Sequence, residues 1–326
     1  MVNPHDIFTI SNPKQFEKIA LKVFRFQYEN NSVYREFCQY LNTDPHNVKS
    51  LRQIPFLPIQ FFKSHHVISN QNPIQQTFTS SGTTGMTTSQ HHVTDVSLYE
   101  ESYRLAFSLF YGNIEDYTIL ALLPSYLERD GSSLIYMVKD LIETSNNPDS
   151  GFYLDQYDAL IEKLIALDSS GRNVMLIGVT YALLDLIEKQ QFNLRNTIIM
   201  ETGGMKGRRK EMIREELHAA LCNGFGVAAI HSEYGMTELL SQAYSLGNGI
   251  FECPPWMHIA IRDTEDALTA ISDGKTGGIN VIDLANINSC AFIATQDLGR
   301  KKPNNSFEVL GRFDHSDIRG CNLLVL

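Results

Sequence analysis

The stretch "NVMLIGVTYALLDLIEKQQFNLRNTIIMETGG" (173–204) decides the architecture. Residues 173–180 form a short apolar run of strand length, and "YALLDLIEKQ" reads as a helix. "NTIIMETGG" (196–204) is a second strand, ending in paired glycines. The same alternation extends outward in both directions. Upstream, "SLYEESYRLAFSLFYG" (97–112) has helical spacing, "YTILALLP" (117–124) is a strand stopped by proline, and "SLIYMVKDLIE" (133–143) is helical. Downstream, "GRRKEMIREELHAAL" (207–221) predicts a helix and "GVAAIHSEYG" (226–235) a strand ending in a turn. Strands alternating with helices predict an α/β sheet with helices on its faces.

The flanks are less regular. Phe16, Ile19, Ala20, Val23, Phe24 and Tyr28 recur at three- and four-residue spacing, which predicts an amphipathic helix over 13–29 with Pro13 in its first turn. "IPFLPIQFF" (54–62) is apolar but broken by two prolines, so it predicts extended or turn structure. The last third is mixed and turn-rich, with "SDGKTGG" (272–278) expected as a hairpin or loop. Domain organisation is expected as an α/β core over 1–310 with a helical N-terminal segment, followed by a short hinge and tail over 311–326.

Composition excludes several classes. A formal net charge of -10, with no long basic run, argues against nucleic-acid binding. No apolar stretch approaches the ~20 residues needed to span a bilayer, and the N-terminus lacks the pattern of a secretory signal. Five scattered cysteines without a C-x-x-C pair indicate neither a zinc ribbon nor a redox dithiol. Cys253 and His258 have no further Cys or His nearby to complete a closed zinc site. A reduced, cytoplasmic protein is expected.

"TFTSSGTTG" (77–85) packs six hydroxyl side chains and two glycines into nine residues. A linker, a phosphate-binding loop and a hydroxyl nucleophile would each account for it. No lysine follows as a Walker A loop requires, no G-x-S-x-G elbow is present, and "NGFGVAA" has too few glycines for a dinucleotide fingerprint. What fits best is a loop whose backbone N–H groups and hydroxyls receive an anion. In open α/β sheets ligands bind at strand carboxyl ends. "METGG", "HSEYGMTE" and "ATQDLGR" are all expected there.

"SSGTTG", "EYGMTE", "TQDLG" and "GRFD", in this order, resemble the adenylate-forming superfamily of acyl-CoA synthetases, firefly-type luciferases and peptide-synthetase adenylation domains. "IPFLPIQFFKSH" (54–65), "LPSYLERDGSSLIYMV" (123–138), "METGGMKGRRKE" (200–211), "CPPWM" (253–257) and "GRFDHSDIRGCNLL" (311–324) narrow this to the acyl-protein synthetases of bacterial bioluminescence, the LuxE family. The resemblance implies the large-domain fold of adenylate-forming enzymes, with sheets flanked by helices. It also implies ATP and Mg²⁺ as cofactors, a fatty or other carboxylic acid as substrate, and an acyl reductase as protein partner.

By the same resemblance Ser80, Ser81, Gly82, Thr83, Thr84 and Gly85 would embrace the β- and γ-phosphates. Gly203 and Gly204 would line the adenine and Tyr234 would stack on it. Thr237 would reach the α-phosphate and Glu238 hold magnesium. Asp297 would bind the ribose hydroxyls, and Arg312 would contact ribose or phosphate. Each has a plainer alternative: a helix-capping turn for the loop, a strand-end turn for the glycines, a helix first-turn charge for Glu238 and an Asx-turn for Asp297. Cys321 would attack the acyl-adenylate and carry the acyl group, though an inert buried thiol is its plainer reading. Coenzyme A or a carrier-protein thiol stands as the alternative acceptor, and a catalytically degenerate nucleotide-binding protein as the alternative class.

The chain ends at Leu326, soon after the hinge motif, so the small C-terminal domain and its lysine are expected to be absent. Lys206, Arg208 and Arg209 could supply the missing positive charge or be solvated helix-start residues. His231 could line the site or sit in the core.

Overall fold

The computed structural model describes residues 3–80, 88–124, 131–203, 209 and 212–312, and of Pro303 the backbone alone. The chain begins with α1 (His5–Phe8), α2 (Pro13–Asn30), α3 (Ser32–Tyr40), β1 (Leu57–Pro58) and α4 (Phe61–Ser64). It continues through β2 (Gln76–Thr79), β3 (Gln90–Val93), α5 (Ser97–Tyr111), β4 (Thr118–Leu122), α6 (Ser133–Thr144), β5 (Gly151–Tyr153) and α7 (Tyr157–Ser169). Next come β6 (Val174–Val179), α8 (Thr180–Lys189), β7 (Thr197–Thr202), α9 (Arg214–Phe225), β8 (His231–Tyr234), β9 (Ala243–Ser245) and β10 (Ile250–Phe251). It ends in β11 (Met257–Arg262), β12 (Thr276–Asp283), β13 (Phe292–Lys301) and β14 (Phe307–Arg312). These elements divide into two units, residues 70–254 and residues 1–69 with 255–326.

In the unit of residues 70–254 the strands are ordered β5-β4-β6-β7-β8-β9. All neighbours are parallel except the antiparallel pair β8–β9. Every residue of β4 and β6 is buried, which is why both read as unbroken apolar runs: a parallel strand covered on both faces has no polar side. Helix α9 packs against α8 at Gly224, where an added Cβ would lie 2.5 Å from Ile187. Its start departs from the expected 207: Arg214 is its first residue, and Met212 and Ile213 precede it as coil. Separately, β2 and β3 pair antiparallel as a hairpin, with Phe78 opposite His91.

The other unit is built on antiparallel strands ordered β14-β13-β12-β11, with β1 added parallel to β13. The region expected to be mixed and turn-rich carries these strands between turns, with a turn at 273–275 leading into β12 where a hairpin or loop was expected. Helix α2 starts as expected at Pro13, with the Asn12 side chain accepting from the Gln15 N–H at 3.0 Å. Its buried face carries Phe16, Ala20, Val23, Phe24 and Gln27. Gln27 donates to the carbonyls of Asn286 and Ile287 at 3.0 and 2.8 Å and accepts from the Ala291 N–H at 3.0 Å. One amide side chain thus satisfies three backbone groups of the segment leading into β13.

Candidate functional site

In the parallel sheet, β4, β6, β7 and β8 are adjacent and point the same way, so their carboxyl ends lie side by side. The segments leaving them are tied together. Tyr181 donates its hydroxyl to the carbonyl of Pro124, just past β4, at 3.1 Å. Thr180, at the end of β6, donates to the carbonyl of Gly203, just past β7, at 2.5 Å. Gly203 has φ +72°, a left-handed conformation that favours glycine. Past β8 the chain does not enter a helix. Residues 235–242 form a turn and irregular segment that leads into β9. Thr237 and Glu238 lie in this turn, and Glu238 is buried. The reading of Glu238 as a helix first-turn charge therefore falls.

The turn is braced from two neighbouring elements. His91 on β3 meets the Thr237 carbonyl through Nδ1 at 2.9 Å. Ser102 on α5 shares a hydroxyl contact of 3.0 Å with Ser241. Tyr234 is buried, its ring 6.0 Å from that of Phe251. Met236 accepts from the Leu239 N–H at 3.1 Å, closing the turn.

Two acidic residues that sequence reading passed over lie at the same strand ends. Glu201 on β7 pairs with Arg214 at 2.7 Å and lies 3.6 Å from His218. Burial opposes its charge most strongly, yet the neighbouring His218 imidazole, the Arg214 charge and the Ser232 hydroxyl together hold its carboxyl below the ordinary range. Glu233 on β8 accepts from the Thr202 hydroxyl at 2.7 Å. Burial, assisted by the nearby Glu201 charge and opposed by Thr202, pushes Glu233 up to about 7. For Glu201 the signal was in the sequence: it is the one carboxylate in the apolar run of β7, "TIIMET", whereas β8, "HSEY", is polar and gives no such sign for Glu233. His231 meets the Tyr111 hydroxyl at 3.3 Å, and burial lowers its pKa.

The hairpin gives the hydroxyl-rich stretch its context. Its first residues, Thr77 to Thr79, lie in β2, and β3 begins after it at Gln90. Ser80 closes the base of this connection: its N–H donates to the Ser89 carbonyl at 3.1 Å, and its Oγ accepts from the Ser89 N–H at 2.9 Å. Thr79 donates its N–H to the carbonyl of Gly131 at 2.8 Å. Ser81, Gly82, Thr83, Thr84, Gly85, Gly204 and Cys321 lie outside the described residues, as do Lys206 and Arg208. Arg209 is engaged by Asp185 and Glu188 of α8, with Nη1 2.6 Å from Glu188.

In the other unit, Asp297 and Arg312 face each other across β13 and β14, with Arg312 Nε donating to Asp297 Oδ1 at 3.0 Å. "ATQDLGR" therefore lies within a ten-residue strand, not at a strand end as expected, and the Asx-turn alternative falls with it. The reason is pairing: β12 on one side and β14 on the other hold the polar residues extended, with a register shift at Leu298/Gly299. The Asp297 carboxylate is buried while Arg312 is largely exposed.

Magnesium would find one carboxylate in the turn, that of Glu238. Among the described residues no group of three or more His, Cys, Asp or Glu side chains stands ready to hold a metal. That donor set fits magnesium, which is commonly bound by one or two carboxylates with phosphate oxygens and water completing the shell. It does not fit a closed zinc site.

Solved structures share this fold. The 2-hydroxyisobutyryl-CoA ligase bound to 2-HIB-AMP, in its postadenylation state, aligns with TM-score 0.66 and 11% identity over 92% of this chain and 68% of that one. ATP-bound MatB from Rhodopseudomonas palustris aligns with TM-score 0.55 and 15% identity over 73% of this chain; the chain spans 48% of MatB. The architecture is thus that of the large domain of adenylate-forming ligases. Among curated proteins, the "Long-chain-fatty-acid--luciferin-component ligase" of Vibrio harveyi is 23% identical over 97% of this chain and 89% of its own length. The protein of the same name from Aliivibrio fischeri is 23% identical over 94% of this chain and 86% of its length. A model of the family "Acyl-protein synthetase, LuxE" matches residues 3–111 and 140–326. With nearly the whole sequence matched, the chain belongs to the LuxE acyl-protein synthetase family.

Proposed function

We propose that this protein activates a long-chain fatty acid with ATP, forming an acyl-adenylate, and then transfers the acyl group to Cys321 for delivery to an acyl reductase. One observation carries the first step: four adjacent parallel strand ends, with the Thr237–Glu238 turn among them, occur in a fold shared with ligases solved with ATP and with an acyl-AMP. The curated relatives' name supports a long-chain acid as substrate.

In the first step a carboxylate oxygen attacks the α-phosphorus and the bond to the β-phosphate bridging oxygen breaks, releasing pyrophosphate. Negative charge rises on the phosphate oxygens, so catalysis lies in placing and neutralising them. Thr237 is assigned the α-phosphate, and the Ser80 hydroxyl, with the hydroxyls and N–H groups of Ser81, Gly82, Thr83, Thr84 and Gly85, the β- and γ-phosphates. Gly203, Gly204 and Tyr234 are assigned the adenine, and Asp297 and Arg312 the ribose. Bound magnesium, held by Glu238, supplies charge neutralisation. In the second step the Cys321 thiolate attacks the acyl carbonyl carbon, and AMP departs with the bonding electrons. The mixed anhydride is activated enough for a thiolate of ordinary nucleophilicity.

Incubating the protein with ATP, magnesium and a labelled long-chain fatty acid should leave a hydroxylamine-sensitive label on the chain. A Cys321→Ala variant should lose that label while still forming acyl-adenylate. Retention of the label in that variant would remove Cys321 from the scheme. Coenzyme A is the second reading, favoured by the 2-hydroxyisobutyryl-CoA ligase solved with CoA in the same fold. Acyl-CoA formed equally by wild type and Cys321→Ala would support it.

A further inference from the structure

We infer that His91 is a positioning residue for the turn that carries Thr237 and Glu238. Residues 235–242 connect β8 to β9 without regular backbone pairing, and Glu238 to Gln242 are all buried. Backbone carbonyls shielded from water in such a segment need donors from elsewhere. The carbonyl of Thr237 finds one in His91, 146 residues away in sequence, at 2.9 Å. A carbonyl oxygen carries no proton, so Nδ1 of His91 must be the donor. The contact therefore fixes the tautomer and ring orientation of His91.

His91 is itself fully buried, held in β3 opposite Phe78, whose ring packs on Tyr99 and Tyr136. The imidazole is thus a rigid bracket. It grips the backbone between the residue assigned to the α-phosphate and the residue assigned to magnesium. A flexible donor, or a water, would leave that peptide free to rotate, and both side chains would move with it.

The nucleotide consequence rests on the proposed adenylation reaction, but the positioning itself does not, so the test has two arms. Without any ligand, hydrogen–deuterium exchange of the full chain should show residues 235–241 opening about tenfold more readily in His91→Leu than in wild type, since the part-buried Thr237 carbonyl loses its donor. His91→Asn, whose amide nitrogen occupies the place of Nδ1, should restore protection. In the second arm, acid-dependent ATP–pyrophosphate exchange should show KM for ATP raised about tenfold in His91→Leu and within about threefold of wild type in His91→Asn.

Unchanged protection of 235–241 in a folded His91→Leu protein would overturn the inference. So would equal KM defects in the Leu and Asn variants. If His91→Leu fails to fold, nitrogen-15 NMR of the wild-type imidazole decides: the Nδ1–H tautomer is expected, and an Nε2–H tautomer would overturn the proposal. Wild-type protein without pyrophosphate exchange would count against the adenylation reading alone, leaving the first arm to judge His91.

Discussion

Glu233 offers the sharpest prediction at the scale of a single residue. An ordinary glutamate ionises near 4.5, whereas burial beside Glu201 moves Glu233 up to about 7. Between those values the folded protein holds a proton that the unfolded chain has released. Stability contributed by this group is therefore full below about 4.5, declines as pH rises towards 7, and is level above it. Denaturant unfolding at pH 5 and pH 8 should show wild type losing up to about 3 kcal/mol more than Glu233→Gln across that interval. Equal losses in both proteins would mean that Glu233 ionises normally. Glu201 behaves oppositely because it has partners: removing Arg214 as Arg214→Leu would strand a buried carboxylate and should cost about 3 kcal/mol, read from the shift in unfolding midpoint. Neither environment was legible beforehand, because pKa is set by neighbours from other strands and from α9.

At the scale of elements, the packing of α8 on α9 turns on Gly224. Gly224→Ala would place a methyl carbon 2.5 Å from Ile187, and overpacking of this kind should cost about 1–3 kcal/mol in thermal or denaturant unfolding. In the turn after β8, Glu238→Gln keeps size and most hydrogen bonding but removes the charge assigned to magnesium. It should lower acid-dependent pyrophosphate exchange about 100-fold and raise the magnesium concentration needed for half activity.

The elements differ in how plainly the sequence announced them. β4, β6 and β7 were legible because strands buried on both faces leave continuous apolar runs, and α5, α6 and α8 because their apolar faces repeat at helical spacing. The start of α9 was not legible, since Ile213, which precedes Arg214, offers no capping side chain to mark it. β13 was missed for another reason: "TQDLGR" is polar and contains glycine, so it reads as a turn, yet pairing with β12 and β14 holds it extended.

For the whole molecule, the order of chemical motifs along the chain was readable, whereas the way distant segments pack was not. Residues 255–312 form their sheet in the same unit as the N-terminal helices, and the ties involved are remote. Gln27 on α2 bonds the carbonyl of Asn286, 259 residues later, and no local periodicity records that. Gln27→Leu would strand two carbonyls and one N–H, and should cost about 2–3 kcal/mol in global unfolding.

The central claim is that this chain makes an acyl-adenylate, and isotope exchange between pyrophosphate and ATP reads that step alone, independent of which thiol follows. The full-length protein, tested across short, aromatic and long-chain carboxylic acids, should exchange label only when an acid is present, and most rapidly with long-chain fatty acids. Measurable ATP binding with no exchange under any acid would contradict the account.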